Sequence, residues 1–396
     1  THGGVQLGDT ITDGASLQLS SKIAGTNVAQ MLTYGADWAQ TRVDELRDYW
    51  IYNRTAGTVS KTLAGDTYPL RDFAPGEHSS LGLFLQDEIL LADGRLQLTP
   101  GIRYDNVKLE PDAMTKAAGS LVLRPVSQDH AAVSPKFGLL WQVTPEAAVY
   151  GQIVRGFRAP NYNEVNGLFY NAAQNYVSLP NADLKPERST GVEVGTRLQA
   201  LGGNVSVALF DNRYENFIEQ TQICTSSVGA CPGGTRSAYQ NINLSKVRIS
   251  GLELRGQWRP AASLVLNAAL ARAVGRDQDR EQPINSVEPT RISLSLLYDR
   301  ETWGGEARLR AASAVSAVST TTVNYFRPAG YAVVDLGAWW KVSRDVRLNV
   351  GLNNLLDQTY TLWSDVRQVG LSMTDPGKAF YTQPGRNLSL ALQVDF

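Results

Sequence analysis

Apolar and polar residues alternate along many segments of the chain. In the segment GVEVGTRL, Val192 and Val194 lie on one face and Glu193 and Arg197 on the other, because successive side chains of a strand point to opposite faces. The segments GLELRGQW and VRLNVGLN repeat this pattern. The chain ends in NLSLALQVDF, which alternates in the same way and finishes on the aromatic Phe396. A period of two predicts half-buried antiparallel strands.

The connections between these segments are of two kinds. Short turns rich in Gly, Pro and Asp occur at LLADGR, QVTPEAA, LQALGGN, WRPAASL, YDRETWGG and KVSRDV. Two segments before residue 41, a pair at each short turn and one final segment amount to about fifteen strands. Short and long connections alternate, which is the arrangement of a transmembrane up-and-down β-barrel. We expect the long connections at 41–78, 106–132, 158–188, 212–246, 275–289, 315–330 and 355–386.

Strand length and tryptophan placement agree with a membrane barrel. Segments of about ten residues cross a bilayer when they are tilted. Five Trp residues fall near strand ends, where aromatic girdles lie, although ordinary packing is the alternative explanation: Trp141, Trp258, Trp303, Trp339 and Trp340. The predicted fold class is therefore all-β, a transmembrane antiparallel β-barrel with long external loops, short periplasmic turns and charged side chains facing a wet lumen.

Composition and charge exclude several classes of protein. The chain has 396 residues, of which 43% are apolar and 19% charged, and its net charge is -1. These values argue against a disordered chain and against a nucleic-acid partner. It has no run of about 18 apolar residues, as a membrane helix requires. Because it begins THGGVQLGDT, without Met or a signal segment, we expect a processed product or a fragment.

Catalysis is not indicated either. His2, His78 and His130 have no nucleophile or acid motif around them, and no Gly-rich phosphate loop opens a helix. A soluble all-β module or propeller would show repeats of about 40 residues, which the chain lacks. We expect no enzymatic function.

The chain has two cysteines, Cys224 and Cys231. They lie close together in QICTSSVGACPGG, and no His is near them. A disulfide in an oxidising compartment is favoured over a metal site, which would require four ligands.

Five motifs, in this order, resemble the barrel of TonB-dependent outer-membrane receptors: GFRAP (156–160), NADLKPERSTGVEVG (181–195), GLNNLLDQTY (351–360), YTQPGR (381–386) and the terminal Phe396. The resemblance implies a barrel of roughly 22 strands, filled by an N-terminal plug, in the outer membrane of a Gram-negative bacterium. It implies import of scarce metal chelates with energy from the TonB complex. Residues 1–396 would be roughly the last fifteen strands of this barrel, with the plug and the TonB-engaging region absent. We expect the first strands to be absent too, because fifteen strands would leave an open edge in lipid with unpaired backbone groups.

Two of these motifs are associated, within the family, with haem and haemoprotein receptors. Siderophore receptors carry related versions of both, so a ferric siderophore is the alternative cargo. On this resemblance, iron is carried as haem or from haemoproteins, and haem is a transported ligand rather than an intrinsic cofactor. The matching residues are Phe157, Arg158, Ala159 and Pro160 in the first box, and Asn181, Ala182, Asp183 and Leu184 in the second.

The loop between the two boxes is rich in aromatic residues and contains no His. Because a tyrosinate can ligate haem iron, and Tyr176 stands just before the second box, we expect Tyr176 to be the iron ligand. Tyr162, Phe169 and Tyr170 are expected to contact the cargo. For each of these residues the alternative is packing within the loop.

Three charged or titratable residues have two interpretations each. Arg158 either pairs with a haem propionate or an anionic chelate, or joins a ladder of Arg and Glu residues in the lumen. His78 and His130, near external strand ends, either contact the cargo or are simply solvated.

Overall fold

A computed structural model describes the chain except for residues 1, 26–27, 64–65, 115, 119–120, 172–174, 226–230, 320–324, 368, 370–378 and 396. Its main element is a nineteen-stranded sheet, in which each of fifteen long strands pairs antiparallel with the neighbouring long strand along the chain. The strands are β1 (His2–Ala24), β2 (Ala29–Asn53), β3 (Gly76–Leu91), β4 (Leu96–Pro111), β5 (Gln128–Thr144), β6 (Ala147–Arg158), β7 (Glu187–Ala200), β8 (Gly203–Thr225), β9 (Ser237–Ala261), β10 (Leu264–Asp277), β11 (Arg291–Asp299), β12 (Trp303–Ala312), β13 (Tyr331–Lys341), β14 (Val346–Asn353) and β15 (Asn387–Val394).

The remaining elements are short and lie in the long connections. Helix α1 spans Tyr162–Asn166, helix α2 spans Trp363–Val366, and a 3-10 turn spans Pro232–Gly234. Eight short strands complete the described structure: Thr58–Ser60, Thr62–Leu63, Asp66–Thr67, Lys116–Ala118, Leu121–Leu123, Phe169–Asn171, Tyr176–Leu179 and Gln282–Pro283. None of the helices among the described residues is long and apolar enough to cross a bilayer.

The alternation of short and long connections is confirmed. Seven turns of two to four residues join β1–β2, β3–β4, β5–β6, β7–β8, β9–β10, β11–β12 and β13–β14, and all the long connections lie at the opposite end of the sheet. The expected number of strands, about fifteen, is also confirmed.

The expected loop bounds are wrong in several places. The connection expected at 41–78 is strand as far as Asn53, and the one expected at 212–246 is strand as far as Thr225 and again from Ser237. The physical reason is that these extensions reach beyond the lipid, where neither face must be apolar, so the alternation that marks a membrane strand disappears while the ladder continues.

The two faces of the sheet differ as a barrel wall requires. One face exposes aliphatic side chains such as Leu209, which is 53% exposed. The other face carries ion pairs such as that between Asp37 and Arg103, whose oxygen and nitrogen lie 2.9 Å apart. We therefore assign the apolar face to lipid and the charged face to the lumen.

Four of the five tryptophans lie where the girdle was expected. Trp141, Trp258, Trp303 and Trp340 are 50 to 55% exposed on the lipid face, beside the short turns. Trp339 is the exception. Its ring faces the lumen, with the Arg347 guanidinium carbon 4.5 Å from the ring centroid.

The described sheet has two free edges. Strand β1 pairs only with β2, and β15 only with β14, within the described residues. Completion of the barrel by further strands, and a plug inside it, remain predictions.

Buried apolar residues are concentrated in the external loops rather than in the wall. One cluster consists of Leu168, Val177 and Ala238, and another of Leu109, Tyr162 and Val165. The external connections are thus folded against one another and can hold side chains in fixed positions.

Candidate ligand-binding site

The connection between β6 and β7 (residues 159–186, the β6–β7 loop) begins with helix α1. Asn161 caps this helix: its side chain accepts from the Glu164 N–H at 2.8 Å, and the Glu164 carboxylate accepts from the Asn161 N–H at 2.8 Å. This reciprocal pair is a capping box, and the spacing of Asn161 and Glu164 in the sequence was the available signal for a helix that the sequence analysis did not predict.

Helix α1 is fastened on two sides. The Asn166 side chain is fully buried and bonds both backbone groups of Val126, donating to the carbonyl at 3.0 Å and accepting from the N–H at 2.9 Å. The Leu168 N–H donates to the Asp72 carbonyl at 2.8 Å. The β6–β7 loop is therefore tied to the connections on either side of β3 and β4.

Tyr162 lies inside this loop and is only 7% exposed. Its hydroxyl donates to the carbonyl oxygens of Ala74 at 3.0 Å and Pro75 at 3.3 Å, and its ring packs edge-on against Phe73 with centroids 5.7 Å apart. Burial raises the pKa of Tyr162 to about 12. The structure thus gives Tyr162 a bracing position and keeps its hydroxyl protonated, rather than presenting it to a cargo.

Arg158 is the centre of an ion-pair network. Its guanidinium lies 3.1 Å from a Glu164 oxygen and 2.7 Å from a Glu187 oxygen. The same Glu187 oxygen accepts the Ile218 N–H at 2.6 Å. Two carboxylates oppose one cation here, so the geometry favours the ladder interpretation of Arg158 over pairing with an anionic ligand.

The other residues of the two boxes shape the loop. Pro160 is fully buried, and Phe157 and Ala159 are half-buried. In the second box, Asn181 donates to the Asn241 carbonyl at 2.8 Å, and its side-chain oxygen accepts the Asp183 N–H at 3.1 Å. Leu184 is 2% exposed. The second box therefore anchors the end of the loop to β9.

Between the boxes, the strands Phe169–Asn171 and Tyr176–Leu179 form a hairpin. The second of these strands pairs in parallel with the start of β9, matching Tyr176 with Ser237. Tyr170 packs against the buried cluster that contains Val177. The hairpin extends the sheet at the external end and leaves Phe169 and Tyr176 half-buried.

An aromatic cluster with a cation forms around this hairpin. The Tyr176 ring lies 5.8 Å from Phe169 and 5.8 Å, edge-on, from Tyr239. The Arg47 guanidinium carbon lies 4.9 Å from the Phe169 ring centroid and 5.9 Å from that of Tyr68. We call Arg47, Tyr68, Phe169, Tyr176 and Tyr239 the aromatic cluster.

Three members of the aromatic cluster were missed by the sequence analysis. Arg47, Tyr68 and Tyr239 come from β2, the β2–β3 connection and β9, far from the loop between the boxes. No local spacing marks them, because only the fold brings them together. Burial raises the pKa of Tyr239, which lies in the external extension of β9, and this disfavours its tyrosinate form.

His78 lies in β3 and His130 in β5. His130 bonds the Gln128 side chain at 3.0 Å, and Gln128 in turn donates to the Ala182 carbonyl at 3.1 Å. His78 is paired in register with Leu109, which packs against Tyr162 and Val165 of α1. Among the described residues, no group of three or more His, Cys, Asp or Glu side chains is arranged to hold a metal ion.

The predicted disulfide is confirmed. Cys224 and Cys231 are joined by an S–S bond of 2.08 Å at the external end of β8. Cys224 also packs against the cluster of Leu168, Val177 and Ala238, so the disulfide supports the hairpin of the β6–β7 loop from the side.

The wall and the folded loops together define a transmembrane β-barrel with an ordered external face. A family model described as the TonB dependent receptor-like β-barrel matches residues 3–355, so the chain belongs to the TonB-dependent receptor β-barrel family. Members of this family are outer-membrane proteins of Gram-negative bacteria.

Similar proteins differ in what their names say they bind. Hemoglobin-haptoglobin utilization protein B of Neisseria meningitidis is 25% identical over 76% of this chain and 42% of its own length. The ferric enterobactin receptor of Pseudomonas aeruginosa is 24% identical over 93% of this chain and 48% of its own length. The chain thus spans less than half the length of these two relatives.

The solved structure of the copper transporter OprC has a TM-score of 0.74 at 17% identity, and the match covers 98% of this chain and 57% of that one. At this identity the likeness shows the fold alone.

Proposed function

We propose that this chain forms the ligand-capturing barrel of a receptor that imports iron as haem, or from haemoproteins, across the outer membrane. The external loops capture the cargo, and transport depends on a plug and on the TonB complex in the way the family resemblance implies. The names of relatives support this cargo, since several of them are haemoglobin- and haptoglobin-binding proteins. The chain itself carries out no bond-making or bond-breaking step.

The observation that carries the proposal is the aromatic cluster. Haem is a flat apolar ring with an iron centre and two carboxylates, so it suits a surface of aromatic faces that includes a phenol oxygen and a cation. Phe169 and Tyr176 are half-buried, which leaves part of each ring accessible to a cargo. In this proposal Tyr176 ligates the haem iron, and Phe169 contacts the macrocycle.

The other residues of the β6–β7 loop have supporting roles in this proposal. Tyr170 packs the hairpin, Tyr162 braces α1, and Arg158 holds the loop to β7 and β8. Substitution of these residues would make the loop less ordered and so lower its affinity for haem. Substitution of Tyr176 would instead remove the proposed iron ligand.

The test is a haemin titration of the receptor in detergent, followed by absorption spectroscopy. Wild type is compared with Tyr176→Phe, and Tyr162→Phe is the matched control, because both tyrosines lie in the same loop. We expect saturable binding with a tyrosinate charge-transfer band that is present in wild type and Tyr162→Phe and absent in Tyr176→Phe. Retention of the band in Tyr176→Phe would refute the ligand assignment, and the absence of saturable binding in wild type would refute haem as cargo.

A ferric siderophore is the second candidate cargo. It is favoured by the match to the ferric enterobactin receptor, which covers more of this chain than the match to the hemoglobin-haptoglobin protein. Saturable binding of a ferric catecholate, with no haem absorption band on addition of haemin, would select this alternative.

A further inference from the structure

Five neighbouring strands, β6 to β10, carry arginine on the lipid face of the wall near the external end of the apolar side chains; on β10 the exposed Val274 lies beyond the arginine. On β6 the exposed Ile153 is followed on the same face by Arg155, and on β10 Leu270 is followed by Arg272. On β7, β8 and β9 the arginine is the second residue on the lipid face beyond the last apolar residue of that face. The five residues, all exposed, are called the arginine arc: Arg155, Arg188, Arg213, Arg248 and Arg272.

The register places three of these side chains in one row across the strands, whereas Arg272 pairs with Leu252, and Arg248 pairs with Arg276 of β10. Arg155 pairs with Thr190, Thr190 with Arg213, and Arg213 with Arg248. Like charges directly opposite each other destabilise a sheet. Asp211 offsets part of the repulsion, because it contacts both Arg213 and Arg248.

The rest of the arc lacks such compensation. Arg155, Arg188 and Arg272 form no ion pair among the described residues, although Glu215 is the cross-strand neighbour of Arg188. Arginines of the lumen differ in this respect: Arg308 pairs with Glu306 at 2.9 Å, and Arg310 pairs with Asp335 at 2.8 Å. The lipid face therefore presents a band of positive charge that Asp211 and Glu215 neutralise only in part.

A groove runs into this band between β5 and β6. The pairing of these strands stops at Lys136 and Val154, although β5 begins at Gln128 and β6 continues to Arg158. The resulting groove has a volume of about 740 Å³, and its lining includes Tyr104, Val133, Arg155, Phe157, Arg188 and Arg213. It combines apolar side chains with three guanidinium groups and the Glu215 carboxylate.

We infer that the arginine arc binds the phosphate groups of an anionic lipid headgroup in the leaflet that surrounds the external end of the barrel. Guanidinium groups bind phosphate with paired N–H donors, and the arc lies directly above the aliphatic side chains that face the acyl region. A bound cargo would approach the loops or the lumen, whereas the arc faces sideways into the membrane boundary. The lipid headgroup is thus the anion that this surface meets.

The test measures lipid binding to the receptor in detergent by native mass spectrometry, with bis-phosphorylated lipid A as the probe. Dephosphorylated lipid A and phosphatidylethanolamine are the lipid controls. The arc variant combines Arg155→Gln, Arg188→Gln and Arg213→Gln. Three lumen arginines provide the matched control variant: Arg197→Gln, Arg255→Gln and Arg308→Gln.

We expect wild type and the lumen variant to retain bis-phosphorylated lipid A, and the arc variant to bind it about 100-fold more weakly, since each basic side chain near a charged surface adds to the attraction. Lysine at the same three arc positions should restore most of the binding, which separates loss of charge from misfolding. Equal affinity of the arc variant and wild type would overturn the inference, as would equal binding of the dephosphorylated lipid. Loss of haemoprotein capture in the arc variant, with lipid binding unchanged, would also overturn it and assign the arc to the cargo.

Discussion

Replacement of Arg158 by Met should loosen the β6–β7 loop without unfolding the wall. The substitution keeps an apolar stem and removes the cation that lies between Glu164 and Glu187. Those carboxylates belong to side chains that are 15% and 11% exposed, so water cannot replace the guanidinium fully. Glu187 would still accept the Ile218 N–H, but it would face Glu164 across a site without a positive charge.

The magnitude lies between two limits. Removing one partner of a buried ion pair costs about 3 to 5 kcal/mol, while exposed pairs contribute about 0 to 1 kcal/mol. The carboxylates are mostly buried, but the Arg158 side chain is 41% exposed, so solvent screens part of the interaction. We expect a cost of about 2 kcal/mol in the free energy of loop opening, which raises the open population about 30-fold.

Hydrogen exchange of individual peptides provides the assay. The Gly167 N–H is bonded to the Asn163 carbonyl at 2.8 Å and reports on the end of α1, and the Ile218 N–H reports on the Glu187 contact. Both amides should exchange about 30-fold faster in Arg158→Met. Arg310→Met is the matched control, since Arg310 pairs with Asp335 on the lumen side of β12 and β13. Unchanged exchange in Arg158→Met, or an equal acceleration in the control, would refute this account of the loop.

Three further changes test the wall, the disulfide and a buried acid. Leu209→Arg, on the lipid face, should cost about 2 to 4 kcal/mol of folding free energy and reduce the heat-modifiable folded band on gels. Ala208→Arg, on the lumen face, should leave that band unchanged. Equal effects of the two substitutions would contradict our assignment of the faces. Cys231→Ser removes a disulfide between residues seven apart and should cost about 2 kcal/mol of local stability. Proteolysis of the β8–β9 connection should therefore be faster in the variant, and equal cleavage of wild type and variant would contradict this. Burial raises the pKa of Glu219, in the external part of β8, above its ordinary value of 4.5. The protonated carboxyl group therefore contributes fully to loop stability below pH 4.5, and this contribution is lost as the pH rises through the raised pKa. Exchange protection of this region should therefore fall with rising pH in wild type and less so in Glu219→Gln, and the same slope in both proteins would argue against this role.

The wall could be predicted from the sequence because lipid imposes a strict rule on it. Every strand that crosses the apolar layer must present alternate apolar side chains, and every short turn needs Gly, Pro or Asp in a small space. Beyond the lipid that rule ends. The part of β2 from Val43 to Asn53 therefore contains Asp, Glu, Arg and Tyr without alternation, and it was mistaken for a loop.

The candidate binding surface could be predicted only in part. The β6–β7 loop stood out because aromatic residues are concentrated between two motifs, and its disulfide neighbour stood out because two cysteines lie close together. The positions of Tyr162 and Tyr176 relative to solvent could not be predicted, since both are tyrosines in one polar loop. Their difference arises from the contact of α1 with Leu109 in one case and from the parallel pairing with β9 in the other.

Adjacent residues of the first box act on opposite sides of the wall. Phe157 lines the groove beside the arginine arc, whereas Arg158 points inward and joins β6 to β7 and, through Glu187, to β8. The strand end therefore connects the membrane boundary to the loop that holds Tyr176. Since the aromatic cluster draws on β2, the β6–β7 loop and β9, a ligand bound there would restrain three external segments at once. The order of these segments before binding would then set the conformational entropy lost on capture. In the proposed function, the Arg158 network would therefore affect affinity without contacting the cargo.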